Sequence, residues 1–272
     1  CFNYLEPDFG LVGDSVEIFS DLADLLEEGK SWRNLSGIMF RDGPDIKTAE
    51  QRASSELSKS PRFDNFDLDQ YKDAGFGIGV ITKLGWYSST VAGPNSEEEW
   101  RIVRPVAEVI GEIKRLQQQH NLNKFFFIDQ EFNRPPDYAK ELCMSICREE
   151  LNIRWNTNLR PSGCDDELIS LLVDAGCQMV LIAGGAIRGN VMPGDTGEEE
   201  MRLATDLSDV QKLCDICQKQ GLSYSVTQGF GELGETDQTV RAKLAFLSTA
   251  ARSGRSTNVT LRVGTRIYPA TN

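Results

Sequence analysis

Phe125-Phe126-Phe127-Ile128, then Asp129-Gln130-Glu131, then the amphipathic stretch Pro136–Glu149, then Ile153-Arg154-Trp155-Asn156-Thr157: this passage decides how the rest of the chain reads. A short apolar run, a polar turn, a helical pattern and a second apolar run make a βαβ unit. The same phrase recurs between Gly75 and Val263, with apolar runs at Ile78–Ile81, Phe125–Ile128, Ile153–Thr157, Met179–Ile182, Ser223–Val226 and Val259–Val263. Continuous β-branched and aromatic runs suit strands buried on both faces, as in a parallel sheet. Helices are expected at Val106–Gln119, Pro136–Glu149, Asp165–Ala175, Leu207–Gln220 and Gln238–Ala251. Right-handed crossovers follow, and with them an open or closed α/β barrel whose chemistry sits at the carboxyl ends of its strands.

The chain has 272 residues, 40% of them hydrophobic, which is enough for one large domain and an appendage. A net charge of -12 argues against nucleic-acid and anionic-membrane partners. No apolar run reaches the ~20 residues of a membrane span, and no signal-peptide pattern opens the sequence. The seven cysteines are scattered through helical stretches and form no disulfide framework, so a reducing cytoplasm is expected. The expected partner is a small-molecule ligand or another protein.

Residues 1–45 read as the end of a separate α/β unit: a strand at Phe9–Val12, a helix at Val16–Leu26, and a strand at Leu35–Arg41 closed by the turn Asp42-Gly43-Pro44. Residues 46–73 are polar and read as a linker with at most a marginal helix, and residues 74–272 as the barrel-like part. The start at Cys1 and the stop soon after the last strand suggest a piece of a longer protein.

Several strand–turn junctions resemble one family. Phe126-Phe127-Ile128-Asp129-Gln130-Glu131-Phe132-Asn133 is similar to the second-strand motif of radical S-adenosylmethionine (SAM) proteins of the cobalamin-binding kind. Trp155-Asn156-Thr157-Asn158-Leu159-Arg160-Pro161 resembles their third strand. Gly231-Glu232-Leu233-Gly234-Glu235-Thr236 resembles their Gly-Gly-Pro-Gly-Glu-Thr turn, and Arg266-Ile267-Tyr268-Pro269-Ala270-Thr271 their Arg-Ile-Tyr-Pro-Gly-Thr ending. Asp8–Glu17 and Leu35–Gly43 resemble the end of a cobalamin domain. The resemblance spans nearly the whole chain in order. It implies a partial (β/α)6 TIM-like barrel of the radical SAM type, preceded by a short α/β remnant of a cobalamin-binding domain.

The resemblance fails at its defining loop. In that family Cys-x3-Cys-x2-Cys after the first strand holds a [4Fe–4S] cluster, whose open iron binds and cleaves SAM. Here the loop runs Thr82-Lys83-Leu84-Gly85-Trp86-Tyr87-Ser88-Ser89-Thr90-Val91-Ala92-Gly93, so the cysteine positions fall on Trp86, Thr90 and Gly93. Trp100–Pro105 still fits the family's Arg-x-Arg-x-Pro pattern, which fixes the alignment. After the fourth strand the family's Gly-Ile-Glu-Ser-Gly is replaced by Ala183-Gly184-Gly185-Ala186-Ile187, which puts Gly185 in the glutamate slot. The cluster is therefore expected to be absent. SAM remains a candidate ligand, and cobalamin one only if a further N-terminal segment supplies the rest of its domain.

Other groups offer less. Cys143/Cys147 and Cys214/Cys217 each share a helix face, but on helices expected not to adjoin, so they read as buried and inert. His120, the only histidine, reads as a solvated cation at a helix end. The polar set at the strand ends is Asp129, Glu131, Arg160, Arg188, Gln228 and Arg266, with Gly184 and Gly185 allowing close backbone approach. Gathered at one mouth, it could hold a zwitterionic or nucleotide-like ligand; otherwise its members pair with one another. Trp86, Tyr87 and Trp100 either fill the space of the lost cluster or stack on a ring. The sequence thus reads as a cluster-less family member acting as a binding or partner protein in a biosynthetic system. Two readings compete with it: an active cobalamin-dependent radical SAM enzyme with unusual cluster ligation, for methyl transfer or lipid or natural-product modification, and a cluster-independent SAM or nucleotide binder.

Overall fold

The computed structural model describes residues 5–11, 16–49, 63, 66–72, 75, 77–84, 102–184, 196–231 and 235–264, which fall into two compact units. The first contains β1 (Phe9–Leu11), α1 (Val16–Glu27), β2 (Ile38–Asp42) and β3 (Asp45–Thr48). Its strands form an antiparallel sheet in the order β1-β2-β3, with Phe9 opposite Phe40 and Arg41 opposite Ile46. Leu22, Ile38 and Phe40 form a small core, edged by Trp32, whose ring lies 4.7 Å from Phe9 and 5.1 Å from Phe40. The two-strand ladder β5 (Lys83–Leu84) with β6 (Ile102–Val103) belongs to the same unit.

Strand β3 lies inside the stretch expected to be linker. The reason is local: Gly43, at a φ of +65°, turns the chain sharply enough for Asp45–Thr48 to run back along β2. Within the same stretch Leu68–Tyr71 forms one 3-10 turn, capped by Asp67, which accepts the Asp69 N–H at 3.1 Å.

The second unit holds β4 (Ile78–Val80), β7 (Lys124–Phe127), β8 (Arg154–Leu159), β9 (Cys177–Gly184), β10 (Ser223–Phe230) and β11 (Ser256–Val263). Between them lie α2 (Val106–His120), α3 (Pro136–Arg148), α4 (Asp166–Asp174), α5 (Thr196–Gln220) and α6 (Asp237–Ala250). All strand pairs are parallel, and the order β11-β10-β9-β8-β7-β4 simply follows the chain. Right-handed crossovers that never reverse direction must put every helix on one side of the sheet. The core shows it: Val80, Phe127, Trp155, Ile182 and Val226 pack with Ile113, Leu142, Leu172, Leu213 and Leu247 of the five helices.

Burial on both faces, expected from the continuous apolar runs, holds through the central strands on the helix side and only in part on the other, where Asn156 and Ser225 are buried. The alternate residues Gly79, Ile128 and Ala183 are exposed, and Phe126, Asn158, Leu181 and Thr227 are half-buried. The reason is the one-sided helix layer: side chains alternate across a strand, and only one parity meets the helices.

Helix ends follow local chemistry. Asp165, expected as a first-turn acid, is the N-cap of α4 and accepts the Leu168 N–H at 2.7 Å. Gly176 closes α4 at a φ of +87°, and a Cβ there would lie 2.2 Å from the Ile153 carbonyl oxygen. Helix α5 starts at Thr196 rather than Leu207, because Gly197–Glu200 carries no apolar periodicity to announce it. Among the described residues, no helix is long and apolar enough to cross a membrane.

Candidate functional site

The carboxyl ends of β4 and β7 are joined by Asp129, which is 4% exposed. Its Oδ1 accepts the Thr82 backbone N–H at 3.0 Å, and its Oδ2 accepts the Thr82 hydroxyl. Beside them Arg104, itself buried, donates to the Ile81 carbonyl at 2.7 Å and to Glu112 Oε2 at 2.6 Å, while its own N–H bonds the Thr82 carbonyl at 2.9 Å. Burial, and then the Asp129 charge, push the Tyr138 phenol well above the usual tyrosine range. Asp129 therefore works as a clasp between two strand ends on the helix side of the sheet, since it continues the parity of Phe125 and Phe127.

Glu131 and Arg160 do meet. Arg160 Nη1 lies 3.4 Å from Glu131 Oε1, and Arg134 Nη1 lies 3.8 Å from Glu131 Oε2. Their neighbour Asn133, 1% exposed, holds the junction. Its Oδ1 accepts the Arg160 N–H at 2.9 Å, and its Nδ2 donates to the Arg160 carbonyl at 3.0 Å and the Ser162 carbonyl at 3.3 Å. Arg160 Nε is further fixed by Ser162 Oγ at 2.8 Å. Two of the expected site residues are thus paired with each other, and Asn133 positions them.

Gln228 of β10 stands opposite Gly184 at the end of β9. It is 1% exposed, and among the described residues its Oε1 has no hydrogen-bond partner. The turn after β10 is locked from beneath by a residue that the sequence reading missed. Lys243 of α6, 2% exposed, donates to the Gly229 carbonyl at 3.0 Å and pairs with Glu235 at 2.7 Å, while Glu235 also accepts the Gly231 N–H. The signal was faint: a lysine on the apolar side of a helix, beside Phe246 and Leu247. Gly185, Arg188, Arg266 and the loop positions Trp86, Tyr87, Thr90, Gly93 and Trp100 lie outside the described residues.

The donor set for a metal is poor. Cys143, Cys164, Cys177, Cys214 and Cys217 are buried. Burial pushes their thiols up, to about 12 for Cys164 and Cys214, so they stay protonated. Cys147, expected to be buried with Cys143, is exposed instead, because its position on α3 turns it off the packed face. No group of three or more His, Cys, Asp or Glu that could hold a metal occurs among the described residues. His120 closes α2, followed by Asn121 in the left-handed conformation.

No protein-family model matches the chain. The tryptophan 2-C-methyltransferase of Streptomyces laurentii is 26% identical over 185 residues, covering 64% of this chain. The chain is similar to the cobalamin-binding radical SAM proteins. The radical SAM methyltransferase TsrM from Kitasatospora setae, solved with tryptophan and a SAM analogue, superposes over 99% of the chain with a TM-score of 0.77 at 22% identity. OxsB, a cobalamin-dependent SAM radical enzyme solved with aqua-cobalamin, also covers 99% of the chain, with a TM-score of 0.64 at 14% identity. At these identities the two structures establish a shared mixed α/β fold. The chain spans 31% of the curated relative and 54% of TsrM.

Proposed function

We propose that this chain is a radical SAM/B12-family domain, folded as a partial barrel, that does not bind the cluster and serves as a binding or partner protein in a biosynthetic system. Its ligand is a small molecule or a second protein, not a nucleic acid, and its setting is the cytoplasm. One observation carries the reading: Trp86, Thr90 and Gly93 occupy the three cluster-cysteine positions. Iron–sulfur assembly requires soft anionic sulfur donors. The cysteines present elsewhere do not replace them, since those described on the helices and at the start of β9 are mostly sealed and held protonated. The residues do not fit the group. SAM remains a candidate ligand of the strand ends, and cobalamin one that needs a further N-terminal segment.

The competing reading is an active enzyme that takes cluster ligands from unusual residues or a partner chain. It draws support from TsrM, which has been solved with cobalamin and a [4Fe–4S] cluster bound. Anaerobic reconstitution with iron and sulfide separates the two when run beside a Trp86→Cys/Thr90→Cys/Gly93→Cys variant. The proposal expects a brown cluster in the variant and none in the wild type; a cluster in the wild type overturns it.

A further inference from the structure

Helix α1 carries more apolar surface than its own unit uses. Of its described residues only Leu22, 5% exposed, enters the small core with Ile38 and Phe40. Phe19, Ala23 and Leu26 stand at i, i+4 and i+7, so they form one stripe along the helix beside Leu22. That stripe faces water: Phe19 is 65% and Leu26 46% exposed, and Ala23 is exposed between them. The small Ala23 leaves a notch between two large side chains, the shape into which a side chain of a second helix fits. Contiguous apolar surface with a polar rim marks an interaction site, as singly scattered exposed residues do not.

The rim of this stripe is acidic. Asp21, Asp24, Glu27 and Glu28 are all exposed, and α1 has no basic residue in its last turn. Asp24 stands three residues from Asp21 and Glu27 and four from Glu28, spacings at which like charges repel across a helix surface. Glu27 and Glu28 also sit at the helix end whose dipole favours cations. Lys30 reaches Glu28 at 2.7 Å. Among the described residues Asp21, Asp24 and Glu27 form no ion pair, while Arg33 and Lys47 are taken up by Asp42. With 3.6 residues per turn, Glu27 lies about 40° around the helix from Ala23 and Asp24 about 100°, so the carboxylates border one flank of the stripe. A partner covering Phe19 and Leu26 meets them along that edge, and lysine or arginine is what they pair with. A second α1 would bring the same acids against themselves.

We propose that the Phe19–Ala23–Leu26 stripe of α1 is a docking site for a basic amphipathic helix of a partner protein, apolar along one face and flanked by lysine or arginine. The proposal rests on the reading of this chain as a partner protein, but its test follows α1 and not iron, so the two can fail separately. The probe is a fluorescein-labelled peptide of two Leu-Lys-Lys-Leu-Leu-Lys-Leu repeats, compared by fluorescence anisotropy with its glutamate counterpart and with oligolysine. It is titrated into the wild type, Phe19→Ser/Leu26→Ser, Asp21→Asn/Asp24→Asn, and the control Glu141→Gln/Asp174→Asn, whose acids are exposed on α3 and α4. The wild type should bind the lysine peptide at least about tenfold more tightly than oligolysine, and the glutamate peptide not at all. Each α1 variant should bind the lysine peptide at least about tenfold more weakly, and the control variant as the wild type does. Asp21→Asn/Asp24→Asn removes only repulsion from an exposed surface, so it stays folded and decides the matter if the serine variant does not fold. The proposal is overturned by no binding of the lysine peptide, by equal binding of oligolysine, or by an equal loss in the control variant. A dimer in gel filtration that Phe19→Ser/Leu26→Ser abolishes overturns it too, since a second copy would then cover the stripe.

Discussion

Lys243 Nζ lies 2.7 Å from Glu235 Oε1, and the two side chains are only 3% and 8% exposed. The pair is sealed beneath the turn that follows β10, with the Lys243 ammonium 5.6 Å from the centre of the Phe230 ring. Its partners are backbone groups of Gly229, near the end of β10, and of Gly231, just after it, so the pair sets the shape of a strand end. Removing one member leaves the other charge buried alone, which costs about 3–5 kcal/mol, whereas replacing both with apolar residues costs far less. Lys243→Met is expected to lower unfolding free energy by about that amount, and Lys243→Met/Glu235→Leu to recover most of it. Urea denaturation of the three proteins checks this; a near-neutral single variant would contradict it.

At the β7–β8 junction the amide and the ion pair should weigh differently. Asn133 is sealed and bonds both backbone groups of Arg160. The Glu131–Arg160 pair is partly wet, at 22% and 20% exposure. Asn133→Ala leaves buried peptide groups unbonded and should cost about 1–3 kcal/mol, while Glu131→Gln should cost less than about 1 kcal/mol. The same denaturation series ranks them, and equal costs would show that Asn133 is not the organising residue.

Thiol chemistry reports on the same packing. At mildly alkaline pH, iodoacetamide should label Cys147 in the folded protein, while Cys143, Cys164, Cys177, Cys214 and Cys217 stay protected until denaturant is added. Peptide mass spectrometry reads the pattern. The buried thiols have folded pKa values above the ordinary 9.0, so the stability linked to them is full below that value. It is lost as pH rises from there towards about 12.

Acid acts through the surface. Lys47 holds Asp42 below the usual carboxylate range, as Lys72 does Asp69, Lys114 does Glu149 and Lys219 does Asp166, each chiefly by a hydrogen bond to the carboxylate. Depressed folded pKa values mean stability that is present above the unfolded values of 3.8 and 4.5 and lost as pH falls through the lower, folded ones. Melting temperatures should fall below that window, and the fall should shrink at high salt, because these ion pairs are exposed. A salt-independent acid transition would point to buried groups instead.

Among the described residues of the larger unit, the six strands and five helices were legible, apart from the first part of α5, because each carries its own periodicity: Phe125–Ile128 and Ile153–Thr157 are apolar runs that tolerate no helical reading beside turn-flanked helices. The one-sided helix layer was not legible. A strand such as Arg154–Leu159 alternates Trp155, Thr157 and Leu159 with Asn156 and Asn158, yet only the register of its neighbours shows that the amides lie on the face away from the helices. At the candidate site the sequence correctly marked strand ends as polar, and Glu131 and Arg160 come together there. It did not show that Asp129 is taken up by Thr82, because that bond joins residues far apart in the chain. Lys243 went unnoticed for a related reason: a buried lysine is recognisable only once its carboxylate partner is placed.

The claim on which the functional account turns is that this polypeptide holds no iron–sulfur cluster. It is tested most directly by measuring iron and acid-labile sulfide per chain after anaerobic reconstitution and gel filtration of the protein with Trp86, Thr90 and Gly93 intact. The account predicts background levels of both. About four irons and four sulfides per chain, the content of a cubane cluster, would contradict it.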